Sequence, residues 1–111
     1  MLVIEHRGEL LLEKRSGAGI WGGLWCFPEV EADADAAIWC EKRLGARVEA
    51  MEALPPFVHG FTHFNLTISP QRVRVRSLAP RAAEAVHQWL QLDAAKDAAI
   101  PAPVRRILES L

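Results

Sequence analysis

Two short apolar runs open the chain, Leu2 to Ile4 and Leu10 to Leu12, with Arg7-Gly8 between them as a turn signal. The pattern predicts a β-hairpin over Leu2 to Ile4 and Glu9 to Glu13. Another strand is predicted over Leu24 to Phe27, closed by Pro28, which cannot donate to a ladder. Ala36, Ala37, Cys40 and Leu44 recur at helical spacing ahead of Gly45, and either Asp33 or Asp35 is placed to cap a helix running to Leu44. Arg47 to Ala53 and Phe57 to His59 are predicted strands on either side of Pro55-Pro56. From Phe61 to Ser69 the residues alternate, with Thr62, Phe64, Leu66 and Ile68 on one face and Phe61, His63, Asn65 and Thr67 on the other. After Pro70 a cleaner alternation sets Val73 and Val75 against Arg72, Arg74 and Arg76, and these two runs are expected to pair as a hairpin. Ser77 to Glu84 reads as loop, Val86 to Leu92 as a last strand around Trp89, and Asp93 to Ala98 as a helical turn. Pro101-Ala102-Pro103 introduces a C-terminal helix, Val104 to Leu111, with Val104, Ile107, Leu108 and Leu111 on one side. Strands and helices intermix without a βαβ repeat, so the expected class is α+β.

With 111 residues, half of them hydrophobic, the chain suffices for one domain with its own core. A formal net charge of −1 supplies no global field toward nucleic acid, so any such contact must be local. No apolar run is long enough to span a bilayer, and no signal-peptide pattern precedes Leu2, which points to a soluble cytoplasmic protein. The strand pattern begins directly after Met1, as expected of a domain excised from a longer protein. Cys26 and Cys40 stand among apolar neighbours and are expected as buried free thiols, with neither count nor spacing suited to zinc or an iron–sulfur cluster.

Candidate chemistry concentrates in two stretches. Gly19 to Glu29 interleaves Trp21, Trp25 and Phe27 with Gly22 and Gly23, so bulky rings alternate with backbone that another chain can approach closely. For the indoles alone a core role is the simpler reading. His59-Gly60-Phe61-Thr62-His63-Phe64 is the second stretch. His59 and His63 are four apart, but on strand or turn that spacing does not converge two metal ligands. The alternation at Arg72, Arg74 and Arg76 suits a solvated edge strand, with phosphate contact as the other reading; Lys14 and Arg15 are ambiguous in the same way. Trp39 and Trp89 read as core.

A strand ending in Phe27-Pro28 that runs into a loop and then a helix resembles the entry to a Nudix domain. The resemblance implies a Nudix-like fold with a mixed β-sheet packed between helices. In Nudix hydrolases that helix carries glutamates that hold magnesium against a pyrophosphate. With the family pattern anchored on Gly45, the three metal-binding positions hold Trp39, Lys42 and Arg43, Glu41 falls at a variable place, and Glu29-Val30 replaces the usual Gly-Gly. An indole or a cation cannot ligate magnesium. The resemblance therefore implies a binding module on a hydrolase scaffold.

Gly19 to Glu29, His59 to Phe64 and Pro101 to Leu108 together resemble the C-terminal domain of MutY-type adenine DNA glycosylases, and the likeness covers nearly the whole chain. In that family a Phe-Ser-His-Phe loop inspects 8-oxoguanine opposite adenine, while a separate helical domain with an iron–sulfur cluster removes the adenine. The resemblance implies that Thr62 takes the serine's place, with Phe61 and His63 flanking it against double-stranded DNA. Thr62 keeps the hydroxyl but adds a methyl and stiffens χ1. It further implies a monomeric, nucleoid-associated bacterial protein whose second partner is the missing catalytic domain, with no catalytic residue, metal or cofactor in this one. Two alternatives stand beside it. One is a divergent Nudix nucleoside-diphosphate hydrolase using Glu29, Glu31, Asp33 or Glu41; the other is a protein-interaction module for a repair or replication factor.

Overall fold

The computed structural model describes residues 1–77 and 86–111. β1 (Leu2–His6) and β2 (Glu9–Lys14) form the expected hairpin, with Glu5 opposite Leu10 and His6 opposite Glu9. Its two-residue turn has positive φ at both positions, 51° at Arg7 and 80° at Gly8, which matches the right-handed twist of the strands it joins. β3 is shorter than expected, Trp25–Cys26, and pairs with Lys14 and Glu13 on β2.

Between the two candidate caps, Asp35 starts α1 (Ala36–Leu44): its Oδ1 accepts from the Ala37 and Ile38 amides at 2.9 and 3.2 Å. Gly45 ends the helix at φ 59°, a left-handed conformation that a side chain would disfavour. Lys42 and Arg43 occupy the last turn, where cations complement the helix dipole.

β4 (Arg47–Ala53), β5 (Phe57–Gly60), β6 (Asn65–Ile68) and β7 (Gln71–Ser77) follow. Here the structure corrects the expected pairing. β6 pairs with β5, Phe57 opposite Ile68 and Gly60 opposite Asn65, as a separate two-stranded ribbon. β7 instead enters the main sheet, parallel to β1 and antiparallel to β4, so the arginine stripe lies on an interior strand. β4 is the edge, and six of its seven residues are exposed. The alternation of Arg72, Arg74 and Arg76 thus belongs to a paired strand, with Arg74 and Arg76 exposed and Arg72 half-buried, rather than to an unpaired edge. β8 (His87–Gln91) joins the outer side of β2, then α2 (Leu92–Asp97) and α3 (Ala102–Ser110) complete the fold. Ser77 closes β7, and the rest of the expected loop, residues 78–84, lies outside the described residues.

The sheet buries both faces, and the alternation of β1 and β2 sorts the core in two. Leu2, Ile4 and Leu11 pack with Val73, Val75 and the α1 residues Ala36, Cys40 and Leu44. Val3, Leu10 and Leu12 pack with Phe27, Ile68 and the α3 residues Val104, Ile107 and Leu108. A mixed sheet between helices is the result, as expected. Trp39 and Trp89 are half-buried against the α1 side of the core.

Cys26 and Cys40 are buried on opposite sides of the sheet, and desolvation pushes each thiol up to about 11. The folded state therefore holds these protons more tightly than the unfolded chain, whose thiols ionise from about pH 9. Stability from this source is complete below pH 9 and is lost as pH rises toward 11. Denaturant midpoints measured across that window should fall, and the fall should shrink in Cys40→Ala; identical pH profiles in mutant and parent would contradict the assignment.

Candidate functional site

The loop from β2 to β3 is held by its own backbone. Arg15 donates its amide to the Leu24 carbonyl at 2.9 Å and accepts from the Gly23 amide at 3.1 Å, so the two ends of the loop are tied together. Gly22 crosses Ser16-Gly17 closely enough that a Cβ there would lie 2.7 Å from the Gly17 carbonyl oxygen. This crossing turns the chain through Trp21, whose φ of 58° is a conformation that bulky residues rarely adopt. Trp21 is thereby lifted out of the sheet. It packs on the edge of the α3-side core rather than within it.

The ribbon of β5 and β6 brings the second stretch to the same place. Residues 61–64 form its turn, closed by the Phe61 amide donating to the Phe64 carbonyl at 2.7 Å. The strand expected from Phe61 thus begins at Asn65, and Phe64, expected on the core face, is 48% exposed. Phe64 stacks on Phe61 with centroids 4.5 Å apart and planes at 19°. Phe61 also meets His59 edge-on at 4.8 Å and Trp21 at 5.7 Å, while Trp21 reaches His59 at 6.1 Å. Four rings, one from the β2–β3 loop and three from the ribbon and its turn some forty residues on, form one cluster, with the Arg15 guanidinium 5.8 Å from the Trp21 ring centroid. Thr62 and His63 project from it, both exposed. Sequence reasoning ran Phe61, Thr62 and His63 into the strand alternation and gave Thr62 one of its faces; the structure puts all three on the turn instead. Trp21 and Phe64 were missed as parts of the cluster; the flanking glycines were the available signal for Trp21.

The arginines of β7 are not part of this cluster. Arg72 is engaged with Glu5, its Nη2 and Nε donating to one carboxylate oxygen at 2.7 and 3.0 Å, and the bond to Glu5 holds its guanidinium above its ordinary pKa. Arg74 and Arg76 are exposed.

Magnesium, which the Nudix helix would hold, does not fit the residues present. Trp39, Lys42 and Arg43 occupy the helix positions, and Arg43 lies 5.3 Å over the Trp39 ring and 3.9 Å from Glu13. Of the carboxylates open to the hydrolase alternative, Glu29 is paired with Arg15 at 3.0 Å, and Glu31 lines a groove of about 650 Å³ with Trp39, Leu66 and Ile68. Asp33 and Glu41 are exposed. Among the described residues no three His, Cys, Asp or Glu side chains come together as metal donors.

A mixed sheet between helices, entered through a Phe-Pro strand and followed by a helix whose metal positions carry an indole and two cations, has the architecture of a Nudix fold. Residues 1–110 match the NUDIX domain family, and the chain belongs to it. Its similarity to curated proteins points to one branch. It is 31% identical over 111 residues to an adenine DNA glycosylase of Buchnera aphidicola subsp. Acyrthosiphon pisum, and 26% identical over 110 residues to that of Buchnera aphidicola subsp. Baizongia pistaciae. These matches take in 98% and 99% of the chain but 31% of each relative, so the chain spans about a third of their length. Among solved structures, the C-terminal domain of mouse MUTYH, in complex with human PCNA, superposes with a TM-score of 0.72 at 19% identity, covering 97% of this chain and 81% of that one. A MutT NUDIX hydrolase from Burkholderia pseudomallei superposes with a TM-score of 0.65 at 20% identity, covering 99% and 93%.

Proposed function

We propose that this chain is the lesion-recognition domain of an adenine DNA glycosylase, reading 8-oxoguanine opposite adenine in duplex DNA and leaving adenine removal to another domain. The observation that carries this reading is the ring cluster that pins Phe61 between Trp21, His59 and Phe64 while Thr62 and His63 stay exposed at the turn. Support also comes from similarity to adenine DNA glycosylases along nearly the whole chain. Guanine N7 accepts a hydrogen bond, whereas the oxidised base carries hydrogen there and a new carbonyl beside it. A hydroxyl can accept from the first and donate to the second, so Thr62 has the chemistry to register the difference. Phe61 and His63 flank it against the DNA, and Arg74 and Arg76 are secondary candidates for phosphate contact. Arg72 is the weakest of the three because Glu5 already occupies it.

The helix of cations and indole is consistent with binding rather than hydrolysis. The glycosylase iron–sulfur cluster has no place in this domain: its two cysteines lie on opposite sides of the sheet. On this reading the cluster and the catalytic carboxylate belong to the other domain.

A backbone-amide NMR titration with matched duplexes, 8-oxoguanine or guanine opposite adenine, tests the proposal. Lesion-dependent shifts should centre on residues 61–64. Thr62→Ala should lose about 1–3 kcal/mol of preference for the lesion, the scale of one good base contact. Equal preference in mutant and parent would remove Thr62 from the reading, and shifts identical for the two duplexes would remove the lesion.

A further inference from the structure

Resting on the recognition reading, we propose that Arg15, with Lys14 beside it, is the phosphate contact that seats the aromatic turn on the duplex, in preference to the arginines of β7. Its position is built. The Arg15 backbone is bonded on both sides within the loop, and its guanidinium lies over Trp21, the ring that in turn touches Phe61. A cation fixed two rings from the reading hydroxyl holds the register of a backbone against which that hydroxyl is aimed. Lys14 is exposed on the adjacent strand residue.

Glu29 is the obvious competitor. It takes Arg15 Nη1 at 3.0 Å, with the two side chains 29% and 41% exposed. A guanidinium has five donors in a planar fork, so one carboxylate contact leaves others for a phosphate oxygen. Glu29 thus orients Arg15 and at the same time weakens its attraction for an anion.

The β7 arginines are worse placed. β7 starts beside Met1, where the Gln71 amide donates to the Met1 carbonyl, at the end of the sheet from which β2 runs into the Trp21 loop. Arg72 stands at the same end but is engaged by Glu5, while Arg74 and Arg76 lie three and five residues beyond Gln71, about 10 and 16 Å toward the opposite end.

Binding of the 111-residue chain to lesion and undamaged duplexes, measured over a salt series, decides the matter. Arg15→Gln should weaken both duplexes by the same factor and lower the slope of log affinity against log salt by about 0.9, the value of one phosphate contact. Glu29→Gln should do the reverse in affinity, tightening both duplexes by freeing the guanidinium. If Arg15 only braces the loop through its ion pair, the two variants will weaken binding alike and leave the slope unchanged, which overturns the proposal. Arg74→Gln should leave the slope at the parent value; a drop of about one there, with none in Arg15→Gln, would also overturn it. A slope that falls in Arg15→Gln without any lesion preference in the parent keeps the phosphate contact and defeats the recognition reading. An unchanged slope with lesion preference intact does the opposite. No measurable binding to either duplex defeats both.

Discussion

Trp21→Ala is expected to remove most of the preference for lesion over undamaged duplex while leaving the fold intact. The indole holds Phe61 and His59 at 5.7 and 6.1 Å, and each such aromatic pair contributes about 0.5–1.5 kcal/mol beyond its buried area. Full burial would put the cost of truncating a tryptophan at about 3–5 kcal/mol. Trp21 is only half-buried, so about 2–3 kcal/mol is the reasonable expectation, readable as a lowered denaturant midpoint. The functional loss has a different source. Without the indole, the ring contacts of Phe61 shrink to those of its own ribbon, His59 and Phe64, and the turn carrying Thr62 is tied to the domain only through the ribbon strands, whose Phe57, Leu66 and Ile68 reach the core. A tenfold or greater fall in discrimination corresponds to about 1.4 kcal/mol or more. Trp21→Phe should restore much of it, because a smaller ring still fills the space between Phe61 and His59. Discrimination unchanged in Trp21→Ala would mean that the ribbon organises its own turn.

Gly22→Ala should be as damaging through a different route. The added Cβ would lie 2.7 and 2.9 Å from the Gly17 carbonyl oxygen and carbon and 3.0 Å from the Ser16 carbonyl oxygen, all of them backbone atoms that no rotamer change can move aside. Overpacking costs about 1–3 kcal/mol, and a contact between backbone segments belongs at the upper end. The strain falls on the crossing that puts Trp21 at positive φ, so the same methyl group should also blunt lesion preference. Urea denaturation and paired duplex titrations read the two effects separately. A variant with parental stability would show that the loop can open by several tenths of an ångström without cost. A destabilised variant with full lesion preference would show that the crossing supports the fold but not the recognition turn.

These expectations could not have been placed from the sequence, although much of the fold could. Arg7-Gly8 announced its hairpin because the turn geometry is decided by two adjacent residues. Gly45 and an acidic cap at Asp33 or Asp35 marked the ends of α1 because caps act within four residues of themselves, and the structure chose Asp35. The loss of the metal helix was also legible, since Trp39, Lys42 and Arg43 are disqualified by chemistry whatever their coordinates. The partner of β6 was not. Phe61 to Ser69 alternates well enough to be one strand, and its nearest apolar neighbour is the β7 run, so local pattern favours the wrong hairpin. Two considerations outweigh it. β5 lies on the other side of a four-residue turn, and Val73 and Val75 are needed inside the main sheet against Leu2 and Ile4.

What the residues themselves determined, then, is most of the elements and a helix whose Nudix metal positions carry an indole and two cations, because propensity, capping and side-chain charge operate over a few positions. Only the tertiary structure decided that β7 is interior, that Thr62 sits on a turn, and that Trp21 packs against the turn at residues 61–64 with Arg15 over its ring. Those facts depend on which distant segments meet when the sheet closes, and no short-range pattern records that meeting.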